Sequence, residues 1–182
     1  MLIYLVYIMT AALLGTGLYY RLQAARSGEP LDRRGEGWPL LVAIRLCGIA
    51  FVAVILTAEA PLEGPLSWAG AIVFTGAAGW LIWMYRSLGR NITDTVAVRR
   101  GATLVSHGPY RLVRHPMYTG LLAAGVSLAV VLRSWALLAV TIVTFTLLAL
   151  RSGAEERFLA ERFGQAYLQY MQRTARFFPK FI

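Results

Sequence analysis

Five apolar runs make up most of this chain and leave it few ways to fold: Leu2–Tyr20, Trp38–Ala58, Pro65–Tyr85, Pro116–Leu132 and Trp135–Leu150. At about 1.5 Å per residue, the first three each match roughly 30 Å of bilayer hydrocarbon. The last two are shorter, about 16 residues or roughly 24 Å. Only Arg133-Ser134 parts them, so they form a hairpin that thins the bilayer, lets Arg133 reach outward to the interface, or stops short as a re-entrant loop. The spanning pair is the expectation. With 58% hydrophobic and 15% charged residues and a mean hydropathy of +0.58, the chain has too little polar surface for a soluble globule. It is expected to be one all-α membrane domain over residues 1–182. The net charge of +9 does not mark a nucleic-acid binder, because the cations lie in the connections between runs and not along one helix or patch. The single Cys47 sits inside a run, which leaves no disulfide framework and no metal-ligand spacing to argue from.

If all five runs cross, residues 21–37, 86–115 and 151–182 share one side of the membrane and hold four, six and six Lys/Arg. The other side receives the N-terminus, the loop 59–64 and Arg133. Positive flanks resist translocation, so the three basic segments are expected in the cytoplasm and the N-terminus outside. Leu2–Tyr20 has neither a basic stretch before it nor a small-residue cleavage pattern after it, and is read as a retained span.

The 86–115 segment is too long for a plain connection. Thr95–Val98 and Ala102–Val105 are β-prone stretches around Arg99-Arg100-Gly101, read as a small hairpin or an extended lobe over the membrane. Gly108-Pro109 and His115-Pro116 each break the chain. Proline forces its predecessor into extended geometry and suits the first turn of a helix, so His115 is placed at a helix mouth. The N–H groups of Met117, Tyr118 and Thr119 would then stand unpaired at the positive end of the fourth span. In the last polar segment, Arg151 and Glu155 fall one turn apart on one face of a helix continuing from the fifth span. Glu156 points elsewhere and is read as exposed or ion-paired. Phe158, Leu159, Phe163, Ala166, Tyr167, Tyr170 and Met171 recur at helical spacing, which describes a tail helix at the membrane interface. Phe177-Phe178-Pro179 and Phe181 look like a final interfacial anchor. Gly70, Gly76 and Gly79 read as close-packing positions, and Arg45 as a cation that faces the bundle interior or snorkels to the membrane edge.

The LGRN run at 88–91, ATLVSHGPYRLVRHPMYTG at 102–120 and the EE…FG..Y..Y pattern from Glu155 to Tyr170 together resemble the isoprenylcysteine carboxyl methyltransferase family of integral membrane enzymes, kin to the phospholipid methyltransferases. The resemblance covers residues 88–179; the first two spans match by hydropathy alone. It implies five transmembrane helices, a cytoplasmic cofactor-binding lobe and an interfacial C-terminal helix. The implied donor is S-adenosylmethionine, and this chain has no GxGxxG after a strand to suggest a soluble dinucleotide-type domain.

By that resemblance, Ala102, Thr103, Leu104 and Val105 match the stretch whose backbone lines the donor nucleoside. Tyr110 matches the aromatic of the GPY turn, and His115, Pro116, Met117 and Tyr118 match the donor-binding RHPxY run. Glu155 matches the donor-binding acid, Arg151 the arginine facing the acceptor carboxylate, and Asn91 the asparagine after LG. The chain departs from the pattern at Ile92-Thr93, where relatives carry an aromatic and a serine, and at His107, which receives no role. The implied activity is methylation of the carboxylate of a lipophilic, isoprenylcysteine-like acceptor, in a bacterial plasma membrane given the minimal loops. Two alternatives stay open: a phospholipid N-methyltransferase, which needs a base and a cage for an amine, and a non-catalytic lipid-binding protein. Taken singly, His115 reads as a helix cap and Arg151 as a positive-inside flank; it is their company in two motifs that favours a site.

Overall fold

The computed structural model describes residues 2–26, 31–33, 38–58, 64–92, 97–99 and 101–179. Five long helices carry the fold: α1 (Leu2–Arg26), α2 (Trp38–Thr57), α3 (Pro65–Leu88), α4 (Pro116–Val131) and α5 (Trp135–Phe163). A short α6 (Gln165–Arg173) follows. Each of the five apolar runs is thus a helix. Of these, α2, α3 and α5 are long and apolar enough to cross a membrane, while α4 is apolar but shorter. The protein is an integral membrane protein by these helices.

Proline opens α3 and α4 at the first turn, where its missing N–H costs nothing. Between α4 and α5 the chain turns on Arg133, which adopts φ 49°, and Ser134 caps α5 by accepting from Leu137 N at 3.2 Å. The helix α5 does not end with its apolar run. Its first 16 residues are apolar, and Arg151–Phe163 extends the same rod beyond them, as the spacing of Arg151 and Glu155 requires.

The core lies where α3, α4 and α5 meet, around Phe74, Leu128, Val131 and Leu137. The close approach is made by small residues. A side-chain carbon on Gly70 would lie 2.9 Å from Val131, one on Gly120 2.6 Å from Leu81, and one on Gly125 2.5 Å from Thr141. Gly76 and Gly79, expected from the sequence to pack, instead face outward, with nothing within 4 Å of such a carbon. Spacing along α3 did not distinguish the face toward α4 from the face toward lipid.

Two further expectations are revised. The strand Ala97–Arg99 pairs antiparallel with Leu31–Arg33 and not with Ala102–Val105, which has no regular secondary structure. A small ladder therefore joins the first and second basic segments of an otherwise helical chain. The tail is also not one helix, because Gly164, at φ 56°, ends α5 and starts α6. Thr95, the loop 59–63 and Phe181 lie outside the described residues.

Candidate active site

Every residue assigned to the site by sequence lines a single cavity of about 690 Å³, a size typical of small-molecule sites. One wall is the irregular stretch Ala102, Thr103, Leu104 and Val105, with Asn91 beside it. This stretch has no regular secondary structure. The opposite wall is the mouth of α4: His115 caps the helix, Pro116 is its first residue, and Met117 and Tyr118 follow. Trp80 of α3 holds this mouth by donating its indole N–H to the Pro116 carbonyl at 2.8 Å. Arg151 and Glu155 enter from α5, one turn apart, and Tyr110 from the Gly108–Arg111 turn. Gly108 is obligatory there: its φ is 62°, and a side-chain carbon would lie 2.1 Å from the Ser87 hydroxyl.

The Tyr118 hydroxyl donates to Glu155 Oε2 at 2.8 Å, and its ring stacks on His115 with centroids 5.1 Å apart and planes 10° from parallel. Glu155 keeps a third of its side chain exposed, so its carboxylate can still take a cation or hydroxyl from the cavity. Arg151 is 9% exposed. Tyr110 accepts a hydrogen bond at its carbonyl from the Tyr170 hydroxyl at 2.6 Å; burial, with the Glu155 charge as a lesser cause, pushes the Tyr110 phenol well above its usual range. It stays a neutral ring at any physiological pH.

Of the two readings left open for Glu156, exposed or ion-paired, the ion-paired one holds. The residue is neither exposed nor peripheral, at 5% exposure, and three cations or donors converge on it. Arg114 Nε reaches Oε1 at 2.9 Å and Arg176 reaches Oε2 through Nε at 3.1 Å and Nη2 at 2.6 Å. His115 Nε2 lies 3.1 Å from Oε1; an ionised carboxylate only accepts, so Nε2 carries the proton of that bond. Burial alone would raise the Glu156 carboxyl, but the hydrogen bonds from His115, Arg176 and Arg114 and the charge of Arg114 outweigh it and hold it well below the usual carboxylate range. Arg114 also donates to the carbonyls of Met171 and Thr174.

The segment after α6 completes this arrangement as a strap. Arg114 N donates to Ala175 O at 2.8 Å and His115 N to Arg176 O at 3.1 Å. Thr119 Oγ1 donates to Phe177 O at 2.7 Å. The Phe177 ring, expected to be a membrane anchor, packs between His115 and Phe145 with centroid distances of 5.7 and 5.4 Å. Glu156 therefore ties α5, the α4 mouth and the strap together at the back of the His115 ring, while Glu155 and Tyr118 face the cavity. His107 is exposed, at the start of the Gly108–Arg111 turn. Among the described residues no group of three or more His, Cys, Asp or Glu is placed to hold a metal ion.

The family model for phospholipid methyltransferase matches residues 66–166, which contain nearly all of α3, the whole of α4 and α5, and every site residue assigned by sequence. The chain belongs to the phospholipid methyltransferase family. Among curated members and relatives, it is 38% identical over 88 residues to the cobalt-zinc-cadmium resistance protein CzcN of Cupriavidus metallidurans, covering 47% of this chain and 39% of that protein. It is 35% identical over 89 residues to protein-S-isoprenylcysteine O-methyltransferase B of Arabidopsis thaliana, covering 47% and 45%. The matches thus span about half of this chain and less than half of those relatives. In fold it is similar to the eukaryotic intramembrane Ras methyltransferase, isoprenylcysteine carboxyl methyltransferase, with a TM-score of 0.58 and 23% identity over 80% of this chain and 54% of that one.

Proposed function

We propose that this member of the phospholipid methyltransferase family is an S-adenosylmethionine-dependent carboxyl O-methyltransferase acting on a lipophilic, isoprenylcysteine-like acid. The observation that carries the reading is the pairing of Arg151 with Glu155 in one cavity whose far end is apolar. The residues present suit the donor. Glu155 is placed for an ammonium or a ribose hydroxyl, the peptide groups of Ala102–Val105 and the amide of Asn91 for the polar edge of a nucleoside, and Tyr110 and Tyr118 for an adenine ring or a sulfonium. When bound, S-adenosylmethionine supplies a methyl group activated by positive sulfur.

The chain's own part is then positioning. A carboxylic acid is already ionised near pH 7, so no side chain has to remove a proton. Arg151 is planar, permanently charged and able to hold both carboxylate oxygens at once, and its burial strengthens the contact. Helix α5 fixes Arg151 and Glu155 one turn apart, which sets acceptor and donor subsites side by side; alignment of this kind is a large share of the barrier reduction available to a displacement. An amine acceptor would need a proton acceptor, and Glu155, the one carboxylate lining the cavity among the described residues, already accepts from Tyr118.

The same reading makes residues 1–182 one domain with five crossing helices, the N-terminus outside, and the 86–115 and 151–182 segments forming a cytoplasmic lobe. A screen of lipid acceptors with labelled S-adenosylmethionine tests it, run with Arg151→Ala beside the wild type. Transfer to prenylcysteine-type or fatty acids, lost in Arg151→Ala with affinity for S-adenosylhomocysteine kept, is the expected result. Transfer to phosphatidylethanolamine alone, with Arg151→Ala still active, refutes it.

A further inference from the structure

The His115 ring is fixed in place and in orientation. Only 5% of the residue is exposed. Tyr118 stacks on the ring with centroids 5.1 Å apart, and Phe177 of the strap packs against it at 5.7 Å. Its Nε2 lies 3.1 Å from Glu156 Oε1. Turning the ring over would set a C–H group against that carboxylate, so the hydrogen bond decides which edge of the ring faces Glu156 and which faces the other way.

Glu156 draws one N–H from this ring and does not need a charge from it. Its two oxygens are already matched by Arg114 at 2.9 Å and Arg176 at 2.6 Å. A neutral imidazole that carries its single proton on Nε2 keeps a bare lone pair on Nδ1. That atom lies 3.8 Å from Glu155 Oε2, beyond hydrogen-bond reach, and both residues line the cavity. The Tyr118 hydroxyl spends its proton on the same Oε2, at 2.8 Å. Two acceptors thus stand side by side at the α4 mouth. The group that answers both carries a positive charge and several N–H bonds and has no lone pair, which describes a primary ammonium.

We propose that Glu156 is a positioning residue of the donor site: by holding the His115 proton on Nε2 it turns Nδ1, beside Glu155 Oε2, into a seat for the primary ammonium at the amino-acid end of S-adenosylmethionine. The inference rests on the donor half of the reading above and not on the identity of the acceptor. Glu156 does not touch the ligand and acts through the ring. The opposite tautomer would present an N–H at Nδ1, which repels an ammonium and donates to Glu155 in its place. With the donor's ammonium on it, Nδ1 also offers no base to an amine acceptor. Ethanolamine lipids carry the same ammonium group, and the experiment separates the two sources.

The first readout needs only unaltered machinery: nitrogen-15 NMR of histidine-labelled protein in phosphatidylcholine nanodiscs near neutral pH. The chain has two histidines, and His107→Gln leaves the His115 signals alone in the spectrum. They should show a protonated Nε2 and a bare Nδ1, and Nδ1 should shift when S-adenosylhomocysteine binds but not when its deaminated analogue does. A proton on Nδ1, or on both nitrogens, overturns the proposal. The second readout is calorimetry with the same two ligands. Wild type should prefer S-adenosylhomocysteine about a hundredfold, and Glu156→Ala should cut that preference about tenfold while the analogue's affinity stays within about twofold, which also reports a folded site. Glu156→Gln, whose amide oxygen still accepts from Nε2, should restore most of the preference even though it loses the charge. Equal loss of both ligands in Glu156→Ala, or equal loss of preference in the two variants, makes Glu156 purely structural and overturns the proposal; if Glu156→Ala does not fold, the NMR result decides. Phosphatidylethanolamine added to the nanodiscs should leave the wild-type preference unchanged, and a preference that falls with it gives the seat to a lipid amine and overturns the donor assignment. Binding of S-adenosylhomocysteine without preference over the analogue sinks this proposal alone, whereas binding of neither ligand sinks the donor reading and the proposal with it.

Discussion

Removing the Glu156 carboxylate should destabilise the protein by an amount that follows from how unequally its three partners are buried. The Arg114 side chain is 11% exposed and Glu156 7%, so Glu156→Ala strands a buried guanidinium; losing one member of such a pair costs about 3–5 kcal/mol. Arg176 is 41% exposed, and water replaces much of what it loses, so Arg176→Ala should cost no more than about 1 kcal/mol. For a chain of this length each kcal/mol shifts Tm by about 2–4 °C. Glu156→Ala should therefore melt about 6–20 °C below wild type in detergent, and Arg176→Ala within about 4 °C of it. Glu156→Gln keeps an acceptor for His115 but not the charge, and should fall near the alanine variant.

The pH dependence has a definite sign. The folded carboxyl of Glu156 is held well below its usual range, so its stabilisation is fully present above the ordinary glutamate value of about 4.3. It is lost as pH falls from there through the lower folded value. The gap in Tm between wild type and Glu156→Gln should thus be constant from about pH 7 to pH 5 and close at lower pH. Differential scanning fluorimetry across that series checks both statements. A Glu156→Ala variant melting with wild type, or an Arg176→Ala variant as unstable as Glu156→Ala, would refute the claim that the buried Arg114 pair carries the energy.

Three other outcomes are expected. Tyr118→Phe keeps the stack on His115 but removes the hydrogen bond to Glu155 Oε2, and calorimetry should show affinity for S-adenosylhomocysteine changed by no more than about tenfold, whereas His115→Ala and Glu155→Ala weaken it further; equal affinity in all three would detach these residues from the donor. Gly125→Ala places a carbon 2.5 Å from Thr141 and should cost about 1–3 kcal/mol by thermal melting, with Thr141→Ala restoring most of it; the same substitution at Gly76, where space is open, should be harmless. A reporter fused after Ile182 should be active only in its cytoplasmic form, given that sixteen of eighteen Lys/Arg lie in the three connections assigned to that side; an active periplasmic reporter would reject five crossings in that orientation.

The parts of this molecule that were legible from residue order are those governed by local rules. Apolar run length located all five long helices, and proline at the first turn placed the mouths of α3 and α4. Helical spacing put Arg151 and Glu155 on one face. What failed was anything that depends on which side of a helix meets another helix. Gly70 and Gly76 look alike in sequence, but only Gly70 meets α4; an apolar face toward lipid and one toward protein have the same composition, so periodicity gives no contrast between them. For Glu156, spacing left exposure and ion pairing open for a related reason. One residue along a helix from Glu155 is a rotation of about 100°, which correctly takes it off the cavity face, and the usual consequence for a glutamate is exposure to water. Here the direction away from the cavity leads to Arg114 and to the strap carrying Arg176, twenty residues later, and no local pattern announces that meeting. The one signal was stoichiometric: Arg114 precedes His115 in the same run that supplies the helix mouth, and a cation fixed beside a buried mouth needs a carboxylate. Adjacent glutamates on α5 thus have divided roles, with Glu155 turned to the cavity and Glu156 to the framework behind it, because a helix presents neighbouring residues to different surroundings.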